Sequence, residues 1–323
     1  MIVNADNTPI LTEEQPENFK CAVRFKPQAI FLYSVKALIL IVESLATLAV
    51  REFDSRLPRF GYEDEGMAIR LSSSRARGNE GYRVKEMMWS IRRVFGFFDD
   101  EDRYAEVVFT TAYEIQPTIG NGDLVSLPST SHLGTVNASA LAVTGNASPG
   151  SEEDELVSTS PLRLATGNKS ASASKDAGNY SSLGDDSITV GRFRSISTEP
   201  EYKPPDIYAL IIDTIMAAAQ ATQSEFEDLS AYNVRADVSL VVLPTSRHAE
   251  DIPYNTAIIA LADLGNKLAF LEPQYRWRPV SFLIFNHART VGRGFMQPGR
   301  IGNADELVLA AGNGTEISAT AIS

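Results

Sequence analysis

The chain is poor in the residues that build disulfides, metal sites and phosphate-binding surfaces. Its 323 residues include one cysteine, Cys21, and three histidines. A lone cysteine excludes an intramolecular disulfide and a site of several thiolates, but it leaves the compartment open because a domain of this size can be stable without disulfides. Lys and Arg number 29 against 41 Asp and Glu, which gives a formal net charge of -12. Because nucleic acids are bound by basic surfaces, we expect no nucleic-acid partner.

The chain also lacks a long uninterrupted apolar run. A bilayer needs about 20 consecutive apolar residues, and the most apolar stretch, which starts near Pro27, is interrupted by Lys36 and Glu43. We therefore expect no membrane span. The first six residues show no basic segment followed by an apolar one, so no signal peptide is visible there.

A repeated stretch organises the rest of the sequence. It occurs as FKPQAIF at Phe25 to Phe31 and, diverged, as YKPPDIY at Tyr202 to Tyr208. Each copy precedes a long apolar helix, and each helix is followed by a short strand, a polar turn, a second helix and a final strand. This pattern predicts a tandem duplication of one helix-strand-helix-strand unit.

The expected fold class is α+β. A single unit offers only two strands and an uncovered helix face, so it would be marginally stable alone. We therefore predict that the duplicated α-β-α-β units share one sheet of at least four strands, with helices packed on it and a pseudo-two-fold axis between the halves.

Hydrophobic periodicity assigns the individual elements. In the first copy we expect a helix from Pro27 that ends before 56–61, a strand at 67–71, a helix from Tyr82 to about Phe95 and a strand at 104–113. In the second copy we expect helices at 204–229 and 254–270 and strands at 238–243 and 280–286. The last strand is a continuous apolar run, which is typical of burial on both faces. Short leading strands are expected at 19–25 and 186–194.

The predicted domain organisation has five parts. Residues 1–19 form a flexible arm, 20–119 the first repeat, 120–198 an insert, 199–299 the second repeat and 300–323 a mobile tail. The insert is rich in Ser, Thr and Gly and has few large apolar residues. Such a composition does not offset the entropy of ordering, so disorder is expected there.

One polar turn is a candidate catalytic site. His248, Glu250 and Asp251 place an imidazole beside two carboxylates, which can do acid-base work. No activated nucleophile or second metal ligand at helical spacing accompanies them, and polar loops produce such triples by chance. A Gly-x-Gly at Gly292 and Gly294 lacks the other residues of a phosphate loop and is interpreted as a bend at a sheet edge. No cofactor or metal is predicted.

Two modification patterns point to different compartments. Asn-x-Ser/Thr sequons predict glycosylation and hence secretion; they occur at Asn137, Asn146, Asn168, Asn179 and Asn313. Ser195, after Arg192-Phe193-Arg194, resembles a site for a basophilic kinase, which predicts a cytosolic protein. The excess of sequons favours the extracellular side.

The order of apolar helix, Ile/Val strand, Tyr-initiated helix and a strand leading into Val-Gly-x-Gly resembles a class of uncharacterised proteins of filamentous fungi. The resemblance covers both repeats and implies no activity, and members of the class often begin with a secretion signal, which this sequence does not show. The sequence favours a non-catalytic interaction or structural protein that binds a protein partner or itself. The alternative is a small hydrolase or sugar-acting enzyme that uses the His248 loop.

Overall fold

The structure is a computed structural model. It describes residues 15–64, 66–74, 81–114, 118–127, 188–221, 229–244, 254–273 and 276–300, together with the backbone of 316–317. The described residues form four helices and antiparallel sheets, so the α+β class is confirmed. Most of the predicted insert, the first 14 residues and most of the tail lie outside the described residues.

The first half contains a five-stranded sheet and two helices. Its strands are β1 (Phe19–Phe25), β3 (Arg59–Asp64), β4 (Met67–Ser73), β6 (Val107–Tyr113) and β7 (Gly120–Ser126), in the spatial order β1-β6-β7-β4-β3. The helices are α1 (Ser34–Ala49) and α2 (Val84–Glu101), and a short pair joins β2 (Arg56–Leu57) to β5 (Tyr82–Arg83).

The second half contains a six-stranded sheet and two helices. Its strands are β8 (Ile188–Ser195), β9 (Leu229–Asn233), β10 (Val238–Pro244), β11 (Val280–Asn286), β12 (Arg289–Pro298) and β13 (Glu316–Ile317), in the order β13-β8-β11-β12-β10-β9. The helices are α3 (Pro204–Gln220) and α4 (Tyr254–Phe270). Without β13, the second sheet has the order β8-β11-β12-β10-β9. This is the same spatial order as in the first sheet, because β8 to β12 correspond, in chain order, to β1, β3, β4, β6 and β7.

The prediction of one shared sheet is wrong. Each half has its own sheet, and the helices lie between the two sheets: α1 and α2 pack on the first, α3 and α4 pack on the second, and α1 contacts both α3 and α4. The physical reason is the composition of α1, which is buried at every position from Ala37 to Ala49. A helix that is apolar on all sides can cover a sheet with one side and a second helix layer with the other.

Several predicted boundaries also change. The first helix begins at Ser34 instead of Pro27, because Gln28 has a left-handed φ of 59° and the Ala29 N–H closes a turn on the Lys26 carbonyl at 3.1 Å. The helix ends at Ala49, and residues 56–61, expected to follow its end, contribute to β2 and β3. In the second copy the helix does begin at Pro204, where proline suits the first turn.

The ends of the predicted insert are ordered strands. β7 is the central strand of the first sheet, between β6 and β4, and β8, which the sequence predicted, is the first strand of the second sheet along the chain. β11 is central as expected, but its residues alternate between buried and half-buried, so only one face is fully buried. Gly292 and Gly294 lie inside β12, a central strand between β11 and β10, so the predicted edge position is wrong, although the β11–β12 ladder does shift register beside Gly292.

Candidate interaction surface

Most of the predicted site residues lie outside the described residues. This applies to His248, Glu250 and Asp251 and to all five sequon asparagines, so the hydrolase interpretation and the glycosylation sites stay predictions from sequence. The structure does place Ser195, at the end of β8. It is half-buried and its hydroxyl donates to the Ser197 carbonyl at 3.2 Å.

The described residues offer little for catalysis. Cys21 is mostly buried, and burial raises the pKa of its thiol to about 12, so the reactive thiolate is scarce at neutral pH. His287 lies exposed in the two-residue turn between β11 and β12. Within the part of the chain that the structure describes, no three His, Cys, Asp or Glu residues could hold a metal ion together.

A buried polar network connects α2 to the first sheet. The Tyr82 hydroxyl lies 2.6 Å from Ser90 Oγ and 2.5 Å from Thr111 Oγ1. Glu86, also buried, accepts from the Tyr113 hydroxyl at 2.9 Å and from the Arg83 N–H at 3.0 Å. Burial raises the pKa of Tyr82. These groups bond to one another between α2 and the first sheet, which is the pattern of a structural network.

β1 forms one edge of the first sheet and carries backbone groups left unpaired by the described residues. Among the described strands, β1 pairs only with β6. The Lys26 N–H donates to the Glu106 carbonyl at 3.0 Å and the Glu114 N–H to the Asn18 carbonyl at 2.9 Å. Hydrogen-bonded pairs alternate along an antiparallel ladder, so the even-numbered residues of β1 bond to β6. The backbone groups of Cys21, Val23 and Phe25 therefore point away from the sheet.

The start of this edge is already covered. The Phe19 N–H donates to the Pro16 carbonyl at 2.8 Å, and the Gln15 side chain donates to the Phe19 carbonyl at 3.2 Å. No described residue bonds to the outward groups of Cys21 and Val23. The open part of the edge thus begins at Cys21.

A groove of about 680 Å³ runs beside this edge, between β1 and the helices α2 and α3. Its lining includes the apolar Phe95 and Ile212 and the basic Lys20, Arg92 and Arg93. Each basic side chain has one acidic neighbour: Lys20 with Glu114 at 3.2 Å, Arg92 with Asp213 at 2.9 Å and Arg93 with Asp100 at 3.5 Å. These pairs are largely exposed, so they are weak and open to exchange with another carboxylate.

The outer face of the first sheet adds a second depression, of about 580 Å³, lined by Arg24, Arg59, Arg70 and Asp123 among others. Arg70 bonds to Glu63 at 3.0 Å, whereas Arg24, exposed on β1, has no partner among the described residues. The outer face of the second sheet is different. Val241, Leu243 and Phe295 form a cluster there, each at most 4% exposed. The accessible polar face therefore belongs to the first sheet.

The opposite edge of the first sheet is better protected. β3 is short and carries Arg59, Glu63 and Asp64, and charged residues are a common means of blocking strand pairing. The sequence predicted β1 as a strand with the observed bounds, but its edge position was missed. The alternation of residues defines the two faces of a strand and contains no information about its neighbours.

Comparisons with known proteins identify no family. No protein-family model and no curated protein matches the chain. Among solved structures, the tandem DUF26 ectodomain of the Arabidopsis thaliana cysteine-rich receptor-like protein PDLP8 aligns over 86% of this chain and 96% of its own length, at 8% identity and a TM-score of 0.24. A TM-score at this level carries no argument about this protein. None of the described helices is long and apolar enough to cross a membrane.

Proposed function

We propose that the protein is a non-catalytic interaction protein that binds an extended segment of a protein partner by strand addition at the edge of β1. The observation that carries the proposal is that no described residue pairs with the outward backbone of Cys21 and Val23, beside a groove of about 680 Å³. In strand addition, main-chain hydrogen bonds supply affinity and pockets for alternate side chains supply specificity.

The neighbourhood of the edge suits such a ligand. Each new main-chain hydrogen bond contributes about 0.5–1.5 kcal/mol. An added strand would point alternate side chains into the groove, where Phe95 and Ile212 provide apolar contact and Arg92 and Arg93 provide positive charge. The favoured partner segment therefore alternates apolar and acidic residues.

The test is a selection of displayed random peptides on the immobilised protein, followed by binding to Val23→Pro. Proline removes the outward N–H of Val23 and leaves the bonds of the even-numbered residues to β6 intact. We expect binding to weaken about tenfold, the equivalent of one or two hydrogen bonds. Glu63→Pro on β3 is the matched control and should leave binding unchanged. Selection of no peptide, or equal binding to Val23→Pro, would contradict the proposal.

We also infer that the two halves are copies of one unit related by a pseudo-two-fold axis. The matching strand order supports this. So do two aromatic-glycine pairs at corresponding places: Phe109 on β6 opposite Gly122 on β7, and Phe282 on β11 opposite Gly294 on β12. Deletion of half of the chain should therefore remove a complete sheet with its helices.

The compartment is a further part of the proposal. We propose an extracellular protein, supported by the sequons at Asn137, Asn146, Asn168 and Asn179. Intact mass of the natural protein tests this: hexose-spaced additions on the peptide that contains them are expected. An unmodified peptide, or phosphate on Ser195, would favour the cytosol instead.

A further inference from the structure

The second sheet contains an example of strand addition within this chain. β13 (Glu316–Ile317) pairs antiparallel with the outer edge of β8, with Glu316 opposite Arg194 and Ile317 opposite Phe193. β8 and β1 hold the same place in their sheets: each lies next to the strand that follows the second helix, and each precedes the first helix. The position that β13 occupies on β8 is vacant on β1 among the described residues.

The two edges correspond at one end. Arg24 lies opposite Val108, the second residue of β6, and Arg194 lies opposite Ser281, the second residue of β11. The residues before them differ, because β8 shifts register on β11 between Ser281 and Leu283, whereas β1 pairs with β6 without a shift. The Ile196 N–H donates to the Pro279 carbonyl at 3.0 Å, so alternation bonds Arg194 to β11, as it bonds Arg24 to β6.

From this correspondence we infer that the C-terminal segment around Glu316 and Ile317 of a second copy of this chain adds to β1. The inference rests on the proposed strand addition at β1 and names its occupant. In the register of β13 on β8, the second copy's glutamate lies opposite Arg24 and its isoleucine opposite Val23. Opposite charges directly across a ladder stabilise the pairing.

Charge and length both favour this occupant. Arg24 is exposed and has no partner among the described residues, so a glutamate across the ladder would satisfy it. Among the described residues, the pairing of β13 with β8 covers two residues. The open part of β1 extends from Cys21 to Phe25 and can accommodate a longer ladder. Reciprocal addition of each C-terminal segment to the other copy's β1 closes a two-fold dimer, in which no edge of β1 stays open.

A charge exchange in the full-length chain tests the inference. Arg24→Glu and Glu316→Arg are prepared as separate variants, and each is studied alone and in an equal mixture by sedimentation velocity and native mass spectrometry. In a homodimer of either variant both contacts are between like charges, so dimerisation should weaken at least about tenfold. In the mixed dimer both contacts are between opposite charges, so association should return to within about threefold of the unchanged protein.

Two controls separate the roles of the edges. Arg194→Glu changes the edge of β8 and leaves β1 unaltered, so it should not weaken the dimer. Val23→Pro should weaken it. Thermal unfolding of each variant confirms that the fold is retained, and the recovery in the mixture cannot come from misfolded chains.

Three results would overturn the inference: an unchanged protein that stays monomeric at its highest soluble concentration, variants that dimerise as well as the unchanged protein, or a mixture without recovery. One of these results can occur while the selected peptides still bind and Val23→Pro still weakens their binding. In that case the second copy is not the ligand of β1, and the proposed function stands. If binding sensitive to Val23→Pro is also missing, both proposals fall.

Discussion

Gly122 and Gly294 make room for aromatic rings on the neighbouring strand. A Cβ atom at 122 would lie 2.2 Å from Phe109 Cζ, and one at 294 would lie 2.1 Å from Phe282 Cζ. Both distances are far inside van der Waals contact. The rings therefore lie across the glycines, and both phenylalanines are buried.

We predict that Gly294→Ala lowers the free energy of unfolding by about 1–3 kcal/mol, the usual cost of overpacking a core. Gly61→Ala is the matched control, because a Cβ at 61 has no atom within 4 Å, and it should change stability by less than about 0.5 kcal/mol. Chemical denaturation of both variants measures the difference. Equal stabilities would show that the Phe282 ring moves aside at no cost.

The sequence could not reveal this role of the glycines. Gly292 and Gly294 were interpreted as a bend because glycine in a strand usually marks a bulge or a close approach of other atoms. Which of the two applies depends on Phe282, which lies twelve positions earlier in the sequence and becomes a neighbour only through the β11–β12 register. The edge position of β1 at Val23 was missed for the same reason: it depends on how distant strands are arranged in the sheet, which a local pattern does not show.

At the scale of elements, a buried carboxylate on α4 helps to attach that helix to β8. Asp263 is 4% exposed. Its Oδ2 accepts from the Val190 N–H at 2.6 Å and from the Thr189 hydroxyl at 3.0 Å, and Lys267 Nζ lies 2.9 Å away. Helix and strand are thus joined by charge-assisted hydrogen bonds as well as by apolar packing.

Removal of this carboxylate should be costly. Asp263→Ala leaves the buried Val190 N–H without its acceptor and the partly buried Lys267 ammonium without the carboxylate that neutralises it, so we expect a loss of about 3–5 kcal/mol in the free energy of unfolding. Asp213→Ala is the control: its ion pair with Arg92 is nearly half exposed, and its loss should cost at most about 1 kcal/mol. Thermal and urea unfolding can compare the two. Similar losses would mean that the Asp263 bonds do not hold α4 to β8.

Helices and strands with a clear hydrophobic periodicity and clear flanking turn residues were predicted well. The bounds of β1, α4 and β11 agree with the structure. The predicted start of the first helix at Pro27 was wrong. The proline and the apolar spacing favour a helix there, but the chain pairs instead with the segment before β6. The Leu32 N–H donates to the Tyr104 carbonyl at 3.0 Å, and Phe31 forms a bridge with Ala105. Such contacts between distant segments are not encoded in a local pattern.

On the scale of the whole molecule, the two halves meet through their helices. α1 contacts α3 and α4, and Val42 on α1 lies near Gly265 on α4, where a Cβ would be 3.5 Å from Val42 Cγ1. Exposed ion pairs cross between the halves as well, from Arg92 to Asp213 and from Arg235 to Asp99. The sequence predicted a long apolar first helix, but an apolar helix fits one shared sheet or two separate sheets equally well.

This interface predicts that the halves depend on each other. Residues 1–127 and 188–323, produced as two chains in one cell, should purify together as a complex with one cooperative unfolding transition. Each fragment alone should aggregate, because its helices would expose the apolar surface that the other half covers. Sedimentation and calorimetry measure both properties.

Two substitutions in the first fragment identify the contact that holds the complex. Val42 is 1% exposed, so Val42→Asp places an uncompensated carboxylate between α1 and α4 and should abolish association. Arg92→Ala removes only an exposed ion pair at the same interface and should weaken association at most about fivefold, which corresponds to about 1 kcal/mol. A fragment of 1–127 that unfolds cooperatively by itself, or a complex that tolerates Val42→Asp, would show that each sheet with its two helices is an independent domain. The second sheet and its helices would then not contribute to the stability of the half that carries the β1 edge.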